Sequence, residues 1–382
     1  MKKSLVALAA LAVAGIASAQ SSVTLFGVLD TGVRYTQVKV NGVESKAWAL
    51  ASGGITTSRL GFRGTEDLGG GLAASFWLEA GLAVDTGLGN GGRNTIPAIA
   101  TLQSATDQGT DNGFNFNRRS TVSLSGGFGE IRMGRDFNTT YLNDTNFDPF
   151  ATTGLGGSII DATRGGYTLG ATAAGSALGN NSYVRTNNAI SYFLPSNLGG
   201  FYGQVQYAFA EIAKVDGAAR NNSGRNVGGR FGYANGPLDV AVAYGQTDLG
   251  ASNAATALDT TSVKELNLGA SYDFGIVKAF GEAVRTKIDN DLVALNNNNN
   301  AYGFLLGATA PVGPGLVRLA YSQIKYSSDL AGADPRSRKL AVGYIHNLSK
   351  RTALYTNYAR VITNGQAGLQ STGFDVGLRH AF

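Results

Sequence analysis

The sequence has only two histidines and no cysteine, so few of its side chains could serve as nucleophile, general base or metal ligand. Its arginines are then the residues best suited to act on ions or solutes. His346 and His380 both fall in segments that alternate like strands, and neither has a nucleophile elbow or an acid partner in its spacing. The glycine clusters at 69–71 and 89–92 lack the Lys-Ser/Thr pair and following helix of a phosphate-binding loop, so they are predicted turns. The sequence therefore argues against an enzyme, against a Cys-based metal site and against a required cofactor.

Arg230 shows how a strand would orient an arginine side chain. It shares one strand face with Gly228 and Gly232, while Phe231 and Tyr233 lie on the other face. A lipid-facing arginine at the bilayer midplane costs ~2–4 kcal/mol, so a membrane-crossing strand would turn Arg230 inward. Rings of arginine or lysine in a channel favour anions.

Such arginines must be positioned by β-strands, and the clearest strand pattern lies in the last residues of the chain. One face carries Phe374, Val376, Leu378, His380 and Phe382, and the other carries Asp375, Gly377, Arg379 and Ala381. On a soluble sheet this edge would invite unwanted pairing, whereas a closed barrel has no edge. We expect the strand to close a transmembrane barrel by pairing with Ser22–Asp30.

The same alternation recurs along the chain, with short turns and long Asn/Gly-rich segments following each other in strict order. That order is typical of an up-and-down outer-membrane barrel, all-β and antiparallel, with tight turns at one end and long loops at the other. About sixteen strands are predicted, beginning near Ser22, Ser58, Leu72, Arg118, Glu130, Asn187, Phe201, Arg225, Leu238, Val263, Val277, Tyr302, Gly315, Arg338, Thr352 and Ser371.

Residues 1–19 read as a cleaved secretory signal peptide, and residues 20–382 as a single barrel domain. Lys2 and Lys3 precede an apolar run, and Ala17-Ser18-Ala19 is a small-x-small cleavage site. Removing the segment lowers the net charge from +5 to +3, which is 29 basic minus 26 acidic residues. Such a mild excess gives no argument for nucleic acid. No later stretch approaches the ~18 apolar residues that a helical span requires, so any crossing must use strands.

The chain resembles the Gram-negative general porins, in particular the trimeric, often anion-preferring β-proteobacterial type. The resemblance rests on segments in the family's order: Ser22–Asp30, Ser58–Gly71, Arg118–Gly126, Phe128–Arg135, Asn187–Tyr192 and the final strand. It implies a sixteen-stranded homotrimeric barrel in the outer membrane whose third external loop folds inward and narrows the pore. It also implies that the terminal aromatic strand, ending at Phe382, is recognised by the outer-membrane assembly machinery.

The resemblance implies that Arg59, Arg118 and Arg185 form a basic pore constriction, and strand parity makes Arg230 a secondary lumen candidate. The alternative is that these arginines solvate strand ends or pair structurally with carboxylates. Arg118 and Arg119 are adjacent, so strand alternation would send one of them inward and the other outward. Apolar parity with Val122 and Leu124 favours Arg119, whereas the resemblance favours Arg118. We follow the resemblance for Arg118 and keep Arg119 as the alternative.

The inward loop is expected over about 137–182, with Asp144, Asp148 and Asp161 as its acids. Asp148-Pro-Phe resembles the acid-bearing tip of the family's constriction loop. Carboxylates opposite an arginine wall would set a transverse field across the pore. An exposed loop with scattered acids is the alternative, since Asp and Pro are ordinary turn formers.

We therefore expect a general diffusion porin that passes small hydrophilic solutes and anions, surrounded by outer-membrane lipid. Two alternatives stay open at this point. A substrate-selective barrel would show block of the current by its solute at low concentration. A barrel that acts as an adhesin or lytic enzyme would show no conductance in a planar bilayer.

Overall fold

The computed structural model describes residues 22–89, 114–160, 184–210, 224–249, 261–290, 299–328, 335–364 and 368–382. Within these ranges the chain forms seventeen strands and one α-helix. The strands are β1 (Ser22–Val40), β2 (Val43–Ser52), β3 (Arg59–Gly69), β4 (Leu72–Gly81), β5 (Arg119–Gly126), β6 (Gly129–Phe137), β7 (Arg185–Phe193), β8 (Phe201–Ala208), β9 (Asn226–Asn235), β10 (Leu238–Leu249), β11 (Thr261–Asp273), β12 (Lys278–Asn290), β13 (Asn299–Val312), β14 (Gly315–Ser328), β15 (Arg336–Asn347), β16 (Thr352–Asn364) and β17 (Leu369–Ala381). The helix α1 (Thr139–Phe147) lies between β6 and β7. The predicted signal peptide lies outside the described residues.

All the strands join one antiparallel sheet that closes on itself, as the sequence predicts. The closing pair is β1 with β17, in register from Val28 opposite Ala381 to Lys39 opposite Gln370. The predicted closing partner Ser22–Asp30 is correct only at Val28–Asp30, because the residues from Ser22 to Val28 pair with β3. Beyond the end of β17, Phe382 exchanges two backbone hydrogen bonds with Gly27, each 3.1 Å long. The last strand therefore has no free edge along this ladder, and the barrel is closed.

Sixteen strand positions build the barrel, because β2 and β3 share one of them. The outer half of β1 pairs with β2, from Thr31 opposite Ser52 to Val40 opposite Val43, and its first residues pair with β3. The strand count predicted from sequence is correct, but β2 was not among the predicted strands. Its signal is the Asn41-Gly42 turn, where both residues have positive φ (50° and 84°), a typical hairpin dipeptide.

Residues 53–58 interrupt the shared position, and Asp30 on β1 organises that break. Its buried carboxylate accepts backbone N–H groups of Gly54, Ile55 and Thr56 at 3.1, 2.8 and 2.7 Å. The Tyr355 hydroxyl donates to the same carboxylate at 2.7 Å. Three backbone donors and one hydroxyl satisfy a charge that could not otherwise be buried.

Alternation of side chains gives the wall one apolar and one polar face. On β17, Phe374, Val376 and Leu378 are 40–48% exposed on the outer face, whereas Asp375 is 1% exposed on the inner face. Inside the barrel, Asp375 pairs with Arg34 at 3.0 Å. The exposed apolar face suits lipid, and the polar face suits a water-filled interior.

The segment that contains α1 packs on the inner face of the opposite wall. The side chain of Asn138 caps the helix by accepting the Thr140 N–H at 3.1 Å. A Cβ on Gly269 of β11 would overlap the ring of Phe147, and one on Gly307 of β13 would overlap Pro149. Leu155 and Ile160 likewise lie over Gly373 and Gly303. Glycines in these strands therefore make room for the loop inside the barrel.

Within the described residues, no helix is long and apolar enough to span a bilayer.

Candidate pore constriction

Glu79 on β4 is the centre of a charged cluster on the inner wall. The guanidinium of Arg118 donates to its carboxylate from Nε at 2.6 Å, and Nη1 of Arg59 lies 3.8 Å from the same oxygen. Trp77, two residues along the same face, donates its indole N–H to the other carboxylate oxygen at 3.2 Å. One buried carboxylate thus fixes two guanidinium groups, leaving excess positive charge between them.

Both members of the Arg118–Arg119 pair reach the inside. Arg119 is the first residue of β5 and lies opposite Glu79, on the inner face. Its guanidinium lies 4.6 Å from the centre of the Trp77 ring and 3.7 Å from Asp136. Arg118 comes before the strand begins, so strand alternation does not apply to it. The prediction that one of the two must point away is therefore wrong.

Two further arginines lie on the same wall, and the sequence interpretation did not select them. Arg132 of β6 is held by Glu130 through two hydrogen bonds of 2.9 and 3.0 Å, and by Asp136 at 2.7 Å. Arg63 of β3 is exposed and lies over Phe26 and Trp77, 5.3 and 5.1 Å from the ring centres. Strand alternation could have identified both. Arg63 lies four residues after Arg59 and Arg132 lies two residues after Glu130, so each shares the inward face of its strand with that charge.

We call this group the arginine cluster: Arg59, Arg63, Glu79, Arg118, Arg119, Glu130, Arg132 and Asp136. Five cations less three carboxylates give it a formal charge of +2. Stacking on Trp77, Phe26 and Phe193 restricts the guanidinium groups of Arg63, Arg119 and Arg132. The wall therefore carries oriented positive charge along its inner surface.

Arg185 and Arg230 lie elsewhere and are buried. Arg185 begins β7 and is 4% exposed, with its guanidinium 4.8 Å from the centre of the Phe137 ring. Arg230 is on the inner face of β9, where its Nε donates to Asn143 of α1 at 2.9 Å and Nη2 donates to the Tyr202 hydroxyl at 3.2 Å. Arg230 thus connects the wall to the inner loop, at a position that sequence parity indicated.

The two loop acids in the described residues are also buried. Asp144 is fully buried, and Asn267 of β11 donates to its carboxylate at 2.7 Å. The Asp148 carboxylate is 4% exposed and accepts three backbone N–H groups, from Phe150, Thr152 and Ser158, at 2.8, 3.0 and 2.7 Å. Both acids organise the loop and its contact with the wall. Asp161 lies outside the described residues.

Burial raises the pKa of Asp148 to about 6, although the three backbone N–H groups act in the opposite direction. Desolvation disfavours the charged carboxylate more than these hydrogen bonds favour it. The pore role predicted for Asp144 and Asp148 stays a prediction, and their burial limits it to a field acting from behind the loop surface.

Comparison with known proteins gives relatives along the whole chain. A family model described as Gram-negative porin matches residues 4–366. Outer membrane porin protein 32 of Delftia acidovorans is 41% identical over 399 residues, with 100% of both chains covered. The anion-selective porin from Comamonas acidovorans has a TM-score of 0.76 at 38% identity, covering 95% of this chain and 100% of that one. The trimer form of OmpT from Vibrio cholerae shares the fold, with a TM-score of 0.62 at 15% identity over 95% of this chain and 99% of that one.

Proposed function

Because this chain belongs to the Gram-negative porin family, as its motifs predicted, we propose that its arginine cluster gives the channel a preference for anions. The protein is an outer-membrane general diffusion porin, a water-filled barrel through which small hydrophilic solutes pass without catalysis. The anion preference, the subunit assembly and the residues of the constriction are the parts that we propose.

The observation that supports anion preference is the formal charge of +2 on the arginine cluster. Arg59 and Arg119 retain side-chain exposures of 28% and 22%, so their charge is accessible to ions in the lumen. The Debye length is ~8 Å at physiological ionic strength, so charges lining a passage of similar width act before salt screens them. A relative of solved structure is described as anion-selective, which agrees with this proposal.

Within the proposed constriction, Arg59 and Arg119 face permeating ions directly, and Arg118, whose side chain is 10% exposed, adds its charge from behind Glu79. Arg63 and Arg132 extend the positive wall beyond them. Arg185, Arg230, Asp144 and Asp148 contribute through their field and by fixing the loop, since all four are buried.

The test is the reversal potential of the purified protein in a planar bilayer under a KCl gradient. We expect chloride preference in the wild type and a severalfold lower chloride-to-potassium permeability ratio in the double variant Arg59→Gln/Arg119→Gln. The matched control is Arg285→Gln/Arg360→Gln, which removes the same charge from the outer face of the barrel and should leave the ratio unchanged. A potassium-selective wild type would refute the proposal, and an unchanged double variant would refute the residue assignment.

We also propose that the protein assembles as a homotrimer. The trimer form of a solved porin fold supports this, and so does one polar pair on the otherwise apolar outer face of β5 and β6. There Ser120 lies opposite Arg135, whose Nε donates to the Asn117 carbonyl at 2.6 Å. Polar outer residues suit a subunit contact better than lipid. Light scattering of the detergent-solubilised protein should give three times the chain mass, and a monomer mass would exclude the assembly.

The predicted handling of the chain by the cell stays part of the proposal. Residues 1–19 direct export and are removed, and the terminal strand is recognised by the assembly machinery. The outward ring of Phe382, 43% exposed, supports recognition of that strand. Phe382→Ala should lower the amount of heat-resistant barrel in outer-membrane fractions, and unchanged assembly would exclude this role.

A further inference from the structure

Three side chains on the inner wall form a group between Arg59 and the short turns: Phe26 on β1, Arg63 on β3 and Trp77 on β4. We call this group the aromatic ledge. Arg63 is four residues beyond Arg59 along β3 and lies directly opposite Trp77, so both side chains point into the lumen. Short turns are at the periplasmic end of an outer-membrane barrel, so the ledge lies between the proposed constriction and the periplasmic mouth.

The two rings of the ledge form one apolar surface beneath the guanidinium of Arg63. Their centres are 5.0 Å apart, in an edge-on arrangement. The Phe26 ring lies over Gly61, where a Cβ would overlap it, so the glycine lets the ring lie close to the wall. The guanidinium carbon of Arg63 is 5.3 Å from the centre of the Phe26 ring and 5.1 Å from that of Trp77. Two rings therefore orient a cation whose side chain is exposed to the lumen.

Arg63 differs from the other arginines of the cluster because it has no carboxylate partner. The other four each lie between 2.6 and 3.8 Å from Glu79 or Asp136. In the part of the chain that the structure describes, no carboxylate forms an ion pair with Arg63. Asp67, on the same face of β3, accepts the Gly69 N–H at 2.8 Å and belongs to the turn. The N–H groups of Arg63 are therefore accessible to an anion in the lumen.

Small hydroxyl side chains border the ledge on the side of the short turns. Thr24 lies directly opposite Arg63 on β1. One row nearer the turns, the hydroxyls of Thr65 and Ser75 are 3.1 Å apart. An aromatic surface with one charged group and a few hydroxyls is the composition that sites for small organic ligands share.

We propose that the aromatic ledge is a binding subsite for carboxylates that carry an aromatic ring. The proposal rests on the proposed channel function, because such anions must reach the lumen. A guanidinium binds a carboxylate through two parallel hydrogen bonds in its own plane. Since Arg63 is stacked on Phe26 and Trp77, a carboxylate at its edge brings the attached group beside the same two rings. A flat ring gains stacking or edge contacts there, whereas chloride and acetate gain only the charge interaction.

The test uses the fact that the chain has two tryptophans, Trp48 and Trp77. In a Trp48→Phe background the ledge carries the only indole, and its fluorescence would be titrated with benzoate, acetate and benzyl alcohol in detergent at constant ionic strength. We expect benzoate to act at about tenfold lower concentration than acetate or benzyl alcohol, because only benzoate has both the ring and the charge. Arg63→Gln should weaken benzoate binding about tenfold or more, since it removes hydrogen bonds between charged groups. Phe26→Leu keeps the charge, so it should weaken benzoate binding severalfold and leave acetate unchanged.

The matched control is Arg285→Gln, which removes an arginine stacked on Tyr302 at 5.6 Å on the outer face of the barrel. It should retain the wild-type affinity for benzoate. Single-channel recording tests the same site in the open channel. Benzoate at millimolar concentration should lower the KCl current of the wild type and of Arg285→Gln, and much less that of Arg63→Gln.

Two results would overturn the proposal. One is binding of benzoate and acetate at equal concentrations. The other is a benzoate affinity that falls in Arg63→Gln but not in Phe26→Leu, which would show a simple anion site. If Arg63→Gln does not fold, Arg63→Lys is measured instead, and unchanged benzoate affinity in that variant refutes the paired hydrogen bonds. A chloride-selective channel without benzoate binding refutes the ledge alone, whereas a potassium-selective channel refutes the proposed anion preference whatever the fluorescence shows.

Discussion

The two walls of the lumen are built on opposite plans. The wall from β3 to β6 carries arginines stacked on Trp77, Phe26 and Phe193, and Glu79 and Asp136 hold them in place. The wall from β11 to β17 carries glycines, on which Phe147, Pro149 and Leu155 of the inner loop lie. The first wall sets the charge that an ion meets, and the second sets how far the loop extends into the passage. Charge and width are therefore controlled by separate residues, which can be changed one at a time.

The largest effect should follow from Gly269→Leu, which places a side chain where the ring of Phe147 lies. Overpacking of this kind typically costs about 1–3 kcal/mol, and here the loop can respond by moving off the wall. We expect a lower melting temperature and an altered single-channel conductance, with the reversal potential nearly unchanged. Gly127→Leu, in a turn with open space around it and no positive φ, is the matched control. Normal conductance in Gly269→Leu would show that the glycine wall does not position the loop.

A pH-dependent effect should follow from Asp148, whose pKa rises from 3.8 to about 6 on burial. Above pH 6 the carboxyl is ionised in both the folded and unfolded chain, and the buried charge costs about 3 kcal/mol. Between pH 6 and pH 4 only the folded chain takes up the proton, so this contribution to stability grows as pH falls. It is fully present below the unfolded pKa and is lost as pH rises through about 6.

Asp148→Asn removes that titration and loses the acceptor used by Thr152 and Ser158. Wild type should therefore gain stability relative to the variant on acidification from pH 7 to pH 4, by up to about 3 kcal/mol. Thermal unfolding of both proteins in detergent at several pH values measures this change. A difference that does not move in favour of wild type on acidification would show that Asp148 is not protonated within the folded loop.

A smaller effect, confined to the charged wall, should follow from Glu79→Gln. The change raises the formal charge of the arginine cluster from +2 to +3, because five cations then face two carboxylates. One added charge ~8 Å from a permeating chloride favours it by about 0.5–2 kcal/mol. The reversal potential should move toward the chloride equilibrium value while conductance changes little. A shift toward potassium would mean that Glu79 matters mainly for orienting Arg59 and Arg118.

The sequence was sufficient for the fold because strand alternation is a local signal. The pairing of Phe374–Phe382 with the first strand, and strand starts such as Leu72 and Gly315, follow from it directly. β2 was not predicted, because the Asn41-Gly42 turn lies between the strands predicted to begin near Ser22 and Ser58, in a segment interpreted as one polar loop. The site was harder to predict. The alternation of side chains along β3 and β6 could have identified Arg63 and Arg132 as inward-facing. The same rule gave the wrong result for Arg118, because β5 begins at Arg119 and the residue before a strand does not follow its alternation.

The function of Asp148 could not be predicted from spacing at all. Its carboxylate accepts N–H groups from residues two, four and ten positions ahead, and this set exists only after the loop has wrapped around it. The role of the glycines in the wall from β11 to β17 could not be predicted from spacing either. Gly269 reads as a small residue in a strand until Phe147, more than a hundred positions away in the chain, is placed against it.

The two-sided pairing of β1 has a mechanical consequence. One edge is held by β17 through twelve residue pairs and the other by β2 and β3, so neither neighbour can be peeled away from a free end. Rupture must open a whole seam at once, and the seam is reinforced from inside by the Asp30 and Arg34 contacts with β16 and β17. Such a barrel resists unfolding through a high barrier more than through a deep minimum. Its lifetime at high temperature or in detergent should therefore be governed by the rate at which that one seam opens.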